Sequence, residues 1–183
     1  TTLYLAAGFA ALFNRTVRFT GDEQIRRRPF APLLKALSDL GADTKSLFGN
    51  GCAPAEIRGP LSGGETTVEC PTSQYLSSLL LCAPLITGGN KVYESSTALP
   101  KTVLHIPLLH EKPYVEISLR WLFKQGVSLY RNGYERFEIP GNQVYRPFTE
   151  PVPADFSSAS FFLCAAALTG CEIGILGLDM EDP

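Results

Sequence analysis

Histidine is scarce and the cysteines fall into no ligand pattern, which removes two kinds of chemistry at the outset. Only His105 and His110 occur in the 183 residues, so a zinc site has little to work with, and both read as loop or strand residues. The five cysteines, Cys52, Cys70, Cys82, Cys164 and Cys171, form no Cys-x-x-Cys pair and are odd in number. They read as reduced core residues in a reducing compartment. Positive charge is also short. With 16 Lys and Arg against 18 Asp and Glu, the net charge is -2, and the broad basic surface that grips a nucleic-acid backbone is missing. A local anion site is still compatible with that balance. Long apolar runs are absent too: the longest stretch, Phe161 to Leu178, is broken by Thr169, Gly170 and Glu172. That interruption argues against a membrane span, and no signal peptide is visible, so we expect a cytoplasmic protein without nucleic-acid or membrane partners.

What is present is a well-balanced globular composition, 45% hydrophobic and 19% charged, which argues for one packed domain over residues 1–183. One pattern runs through it about three times. Arg28-Pro29, an amphipathic run to Gly41, Asn50-Gly51, Thr72-Ser73-Gln74, an apolar run and Thr87-Gly88 recur as Lys112-Pro113, Gly126, Asn132-Gly133, Ser157-Ser158-Ala159 and Thr169-Gly170. The offsets are about 82 to 85 residues. Leu3 to Leu12 followed by Asn14 to Thr20 resembles the tail of a further copy. Such repetition implies units that bury their apolar faces against one another, and leads us to expect a piece of a repeat-built protein whose ends both cut through a copy.

One copy reads as two helices and several strands. Phe30, Leu33, Leu34, Leu37 and Leu40 keep helical spacing, and Gly41 supplies a left-handed stop. Strands are expected at Asp43 to Phe48, Ala55 to Arg58 and Glu65 to Cys70, and in the second copy at Val127 to Arg131 and Tyr134 to Ile139, joined at Asn132-Gly133 by a type I′ turn. The second helix of each copy, from near Thr72 to Ile86 and from Ser160 to Leu168, is apolar on nearly all sides and should be buried. Strands are then expected at Arg15 to Thr20, Asn90 to Ser95 and Glu172 to Leu176. The fold class is α/β (α+β), with βαβαββ-like units, buried helices and small mixed sheets around them.

Residues able to carry chemistry lie at helix starts. Thr72, Ser73 and Gln74 precede a buried helix, where hydroxyls and free backbone N–H groups together form a natural phosphate or carboxylate site. The same residue types also serve as simple N-caps. Arg26, Arg27 and Arg28 form a run that can equally be a solvated face, but Pro29 forces Arg28 into an extended conformation and so can aim it.

Taken in order, Thr20-Gly21 through Arg28-Pro29 to Gly41-Ala42, the Thr-Ser-Gln before a Leu-rich helix, Lys112-Pro113-Tyr114 with Glu116, and Asp155-x-Ser-Ser-Ala-Ser before an Ala-rich helix resemble the 5-enolpyruvylshikimate-3-phosphate synthases. That resemblance spans essentially the whole chain. It implies most of one of two domains, each built from three βαβαββ units, with substrates in the cleft between them. It also implies transfer of the enolpyruvyl group of phosphoenolpyruvate to the 5-hydroxyl of shikimate 3-phosphate, on the way to chorismate and the aromatic amino acids, with no cofactor and no metal. Thr72, Ser73 and Gln74 would contact shikimate 3-phosphate, Tyr114 would lie beside it, and Arg28 would pair with phosphoenolpyruvate. No catalytic residue is expected in this chain, because the acid, base and lysine would come from the missing second domain, so the chain alone should show no turnover.

Two positions depart from the family pattern. Glu111 stands where a serine is usual, and its carboxylate would repel a phosphate unless it points away or pairs with Lys112. Tyr4 stands where an arginine is expected. Three other readings accompany the first: a UDP-N-acetylglucosamine enolpyruvyl transferase relative, which usually has a reactive cysteine in the loop matching Asp22 to Arg27; a divergent or non-catalytic anion-binding module; and a purely structural repeat domain.

Overall fold

The computed structural model describes residues 1–88 and 100–181, in two units, residues 1–145 and 146–183. The first unit opens with helix α1 (Thr2–Ala10), strand β1 (Val17–Phe19) and the short helix α2 (Glu23–Arg27). The side chain of Asp22 caps α2 by accepting from the Ile25 N–H at 2.9 Å. Sequence patterning did not reveal α2, because its five residues hold a single apolar side chain. Helix α3 (Ala31–Asp39) follows as expected: Leu33, Leu34 and Leu37 are buried along one stripe, and Gly41 at φ 109° ends it. Strands β2 (Asp43–Ser46) and β3 (Ala55–Arg58) then pair antiparallel, and β1 closes the other side, giving the order β1-β3-β2.

Strand β4 (Gly64–Thr67) leads into α4 (Ser73–Cys82), which passes into a 3₁₀ turn at Ala83–Leu85. The helix is buried almost all round, with Tyr75, Leu76, Leu79 and Leu80 at 0–1% exposure, as its composition required. Each such leucine stabilises the fold by about 1.5–3 kcal/mol. It is flanked by α1 and by α5 (Lys112–Lys124). Seating against α1 depends on Gly8, where an added Cβ would lie 2.5 Å from Ser78 Oγ and 2.9 Å from the Ser78 carbonyl oxygen. That approach lets the Ser78 hydroxyl donate to the Tyr4 carbonyl at 2.7 Å.

Strand β5 (Lys101–His105), which the sequence reading did not foresee, runs parallel to β4, and the hairpin β6 (Tyr130–Asn132) and β7 (Arg136–Pro140) completes the sheet β4-β5-β7-β6. The turn is not type I′: Asn132 pairs with Arg136, so three residues connect the strands, and Gly133 at φ 54° takes the left-handed region. The internal repeat is plain in the strand orders. β5-β7-β6 reproduces β1-β3-β2, with β4 added at its edge. The strand expected at Asn90 to Ser95 lies outside the described residues.

The second unit carries α6 (Phe156–Thr169), capped by Asp155, whose carboxylate accepts from the Ser157 and Ser158 N–H groups at 3.0 Å each. The Ser158 hydroxyl also donates to it at 2.6 Å, and this bond first, with the two N–H bonds, holds the Asp155 carboxyl below its usual range. Here the expectation of burial fails. Phe161 is 78% and Leu168 88% exposed, because residues 146–181 supply no second helix and no paired strand to cover them. For the same reason Glu172 to Leu176 is not a strand; an isolated bridge between Ala154 and Leu178 is what forms. The cysteines divide as well. Cys70 and Cys82 are buried core residues, Cys52 is half-buried, and Cys164 and Cys171 are exposed; all five are free thiols.

Candidate functional site

Two parallel strands, β4 and β5, each run into a helix, and the starts of those helices meet beyond the strands' carboxyl ends. That is where ligands sit on open α/β sheets. The connecting loops are zipped together: the Cys70 N–H donates to the Leu108 carbonyl at 2.8 Å and the His110 N–H to the Cys70 carbonyl at 3.0 Å. Thr72-Ser73 and Glu111 are thereby held side by side, although 38 residues separate Ser73 from Glu111. Cys70 sits beneath this junction. Burial pushes its thiol up to about 12, so it is inert as a nucleophile.

Thr72 is the N-cap of α4, with extended backbone and its hydroxyl 3.5 Å from the Gln74 N–H it accepts from. Ser73 is buried at 2% exposure. Both turn their donors to one acceptor: Glu111 Oε2 accepts from Thr72 Oγ1 at 3.3 Å, Ser73 N at 3.2 Å and Ser73 Oγ at 3.1 Å. Glu111 itself lies in the left-handed region, φ 57° and ψ 45°, as the N-cap of α5. The carboxylate therefore neither points away nor turns to Lys112, whose Nζ lies 5.1 Å from the Tyr134 ring centroid instead. Both conditions set for tolerating a phosphate there are unmet.

Gln74 is next to this junction, and its Oε1 is buried without a hydrogen-bond partner among the described residues. Leaving a buried acceptor unpaired costs about 1–3 kcal/mol, so such an atom marks a place that a donor would complete. Tyr114 is half-exposed in the first turn of α5. One turn further on, Ser118 Oγ lies 3.1 Å from the Tyr114 carbonyl oxygen and 2.9 Å from Ser77 Oγ, and the contact between the two hydroxyls ties α4 to α5. Neither serine was singled out from the sequence, since their contact spans 41 positions.

Arg28 is exposed, with φ -74° and ψ 132°, the extended form that Pro29 imposes. It lines a cavity of about 280 Å³ together with Thr1, Thr2, Tyr4, Asp22 and Gln24. The Pro29 carbonyl accepts from Tyr75 Oη at 2.6 Å and Tyr4 Oη at 2.9 Å, which fixes this segment against the first turn of α4. Tyr4 is only 3% exposed, and its ring packs edge-on against Tyr75 and Phe30 at centroid distances of 5.0 and 5.7 Å. It works as a core strut. Burial raises the pKa values of both tyrosines, so both hydroxyls stay protonated donors. Among the described residues no group of three or more His, Cys, Asp or Glu could hold a metal ion.

The model of the family described as EPSP synthase (3-phosphoshikimate 1-carboxyvinyltransferase) matches residues 1–182. The chain belongs to the EPSP synthase family. Curated relatives named 3-phosphoshikimate 1-carboxyvinyltransferase include one from Ruminiclostridium cellulolyticum, 44% identical over 183 residues, all of this chain and 40% of the relative. One from Acetivibrio thermocellus is 43% identical over the same span and share. One from Methanococcoides burtonii is 40% identical over 182 residues, covering 97% of this chain and 40% of the relative. The chain thus spans about 40% of the length of these relatives. The solved EPSP synthase from Acinetobacter baumannii superposes with a TM-score of 0.68 at 23% identity, over 91% of this chain and 34% of that one, which shows the shared fold. Members' site residues come to this chain at Thr72-Ser73-Gln74, Tyr114 and Arg28 only as a reading to be tested.

Proposed function

We propose that residues 1–183 form most of one domain of a cytoplasmic enolpyruvyl transferase, acting in the full-length protein on shikimate 3-phosphate and phosphoenolpyruvate. In this reading the α4 start takes shikimate 3-phosphate, with Thr72 and Ser73 toward its phosphate, Gln74 toward its ring and Tyr114 alongside. Arg28, on the adjoining cavity, takes phosphoenolpyruvate, for which a planar guanidinium is a bidentate match. The second domain brings the acid and base, and this chain alone gives no turnover, since catalysis needs groups held on both walls of a closed cleft.

The observation that carries the reading is the orphaned Gln74 Oε1 beside the hydroxyls of the α4 start. A ring hydroxyl is the kind of donor it lacks. A second reading, a divergent anion-binding module, draws on the carboxylate of Glu111 at the same helix start. A titration of the chain by NMR with shikimate 3-phosphate, beside shikimate and inorganic phosphate, tests both. Saturable binding that requires ring and phosphate is expected, weakened roughly tenfold or more by Ser73→Ala, since one hydrogen bond to a charged group is worth about 1.5–3 kcal/mol, and by a smaller factor by Gln74→Ala, whose bond to a neutral hydroxyl is worth about 0.5–1.5 kcal/mol. Binding no better than that of phosphate alone would favour the divergent module, and product formed by the chain alone would refute the claim of no turnover.

A further inference from the structure

We infer that Glu111 is a specificity-determining residue, a tethered carboxylate that holds the anion position at the α4 start and must be displaced by any phosphorylated ligand. The inference rests on the reading of that start as a substrate site, and concerns how the site chooses among ligands.

Three donors converge on Glu111 Oε2: the Thr72 hydroxyl, the Ser73 hydroxyl and the Ser73 N–H, at 3.1–3.3 Å. These are the groups a phosphate would use, and one oxygen has engaged all of them. Hydrogen bonds to a carboxylate are charge-assisted, stronger than those between neutral groups. The helix dipole adds to the same preference. Since Glu111 is attached to the same fold, its effective concentration at the site is high, and a free anion competes against an intramolecular one.

The backbone supports a dedicated role. Glu111 takes φ 57°, a region that costs a β-carbon-bearing residue free energy and that Asn or Gly fill more readily. The loop is pinned there by the bridge between Cys70 and Leu109, and the Tyr114 N–H donates to the Glu111 carbonyl at 3.1 Å as α5 begins. Nothing in this arrangement needs the carboxylate for the capping of α5, which uses the Glu111 carbonyl. Its side chain instead serves the other helix.

A phosphorylated ligand then faces two costs that its unphosphorylated counterpart escapes: it must displace the carboxylate, and it binds beside a like charge. Its apparent affinity falls by the fraction of molecules in which Glu111 has vacated the site. Replacing Glu111 should remove both costs for the phosphorylated ligand alone.

The test titrates the wild-type chain, Glu111→Gln and Glu111→Asn with shikimate 3-phosphate, shikimate and inorganic phosphate. Ser73→Ala serves as the control for the site itself. Glu111→Gln keeps the side chain's size, and Glu111→Asn keeps the left-handed backbone while falling short of Ser73; a thermal melt confirms that each is folded. Both variants are expected to tighten shikimate 3-phosphate about tenfold or more, the worth of one charge-assisted hydrogen bond, with shikimate changed less than about twofold. Equal affinity for shikimate 3-phosphate in wild type and variants, with Ser73→Ala still weakening it, overturns the inference and leaves the site reading standing. Parallel tightening of shikimate and its phosphate also overturns it, since the effect would then be access and not charge. No saturable binding by any of the proteins overturns the site reading, and the inference with it.

Discussion

Phe30→Ala is expected to lower folding stability by about 3–5 kcal/mol. Phe30 is fully buried just ahead of α3, and its ring lies edge-on to Tyr4 and Phe19 at 5.7 and 6.5 Å. Its N–H also donates to the Gly51 carbonyl at 2.8 Å, so the backbone is tied down and cannot collapse into the vacated space. The cost is then near the full cavity term and not a relaxed remnant of it. For a protein of this size the melting temperature should fall by roughly 10 °C. Urea unfolding of wild type, Phe30→Ala and Phe30→Leu checks it, with leucine losing much less. A loss under about 1 kcal/mol for alanine would show that the aromatic cluster is not a support for the fold. Ligand binding should weaken in step, because Phe30 adjoins the Arg28-Pro29 segment that both tyrosines hold in place.

Gly8→Ala is the second large effect, expected at about 2–3 kcal/mol against the fold even though alanine is the better helix former by about 1 kcal/mol. The methyl group would meet Ser78 Oγ at 2.5 Å and the backbone Ser78 carbonyl at 2.9 Å, and the second contact cannot be relieved by a rotamer. Separating α1 from α4 also leaves the buried Ser78 hydroxyl without its bond to the Tyr4 carbonyl. A double-mutant cycle with Ser78→Ala gives the decomposition. Part of the cost should vanish in the Ser78→Ala background, where the hydroxyl is gone, and the backbone part should remain. A Gly8→Ala protein as stable as wild type would mean that the two helices can part without loss.

How much of this could be read from the chain follows the range of the interactions. Local signals were legible: the stripe of Leu33, Leu34 and Leu37, the stop at Gly41, the extended Arg28 before Pro29 and the capping Thr72 all depend on near neighbours. In the second sheet the hairpin around Asn132-Gly133 was legible from its turn residues. Strand β5 escaped notice because Thr102, Val103 and Leu104 are all buried, so no alternation betrays it. The apolar character of α6 was read correctly, but burial also requires a neighbour, and residues 146–181 do not contain one. At the site, Glu111 could be seen as a misfit to phosphate. Its three hydrogen bonds could not, since they depend on two parallel strands bringing distant loops together. Likewise Tyr4 was noted as a missing arginine, while its place as a core strut needed Tyr75, Phe30 and the Pro29 carbonyl in three dimensions.

Strand β4 comes before α4, yet its partner β5 comes after it and takes the place in the second sheet that β1 takes in the first, so units counted from β1 and from β5 put the two paired strands in different units. The period written in the chain is therefore shorter than the piece able to stand alone. A unit cut free just before β5 would leave β4 with a bare row of amide and carbonyl groups, ready to pair with whatever strand it met. It would also expose the flank of α4 that α5 covers. Two halves made this way would stick together before they behaved as small domains, and a weakening substitution in either copy is felt in both.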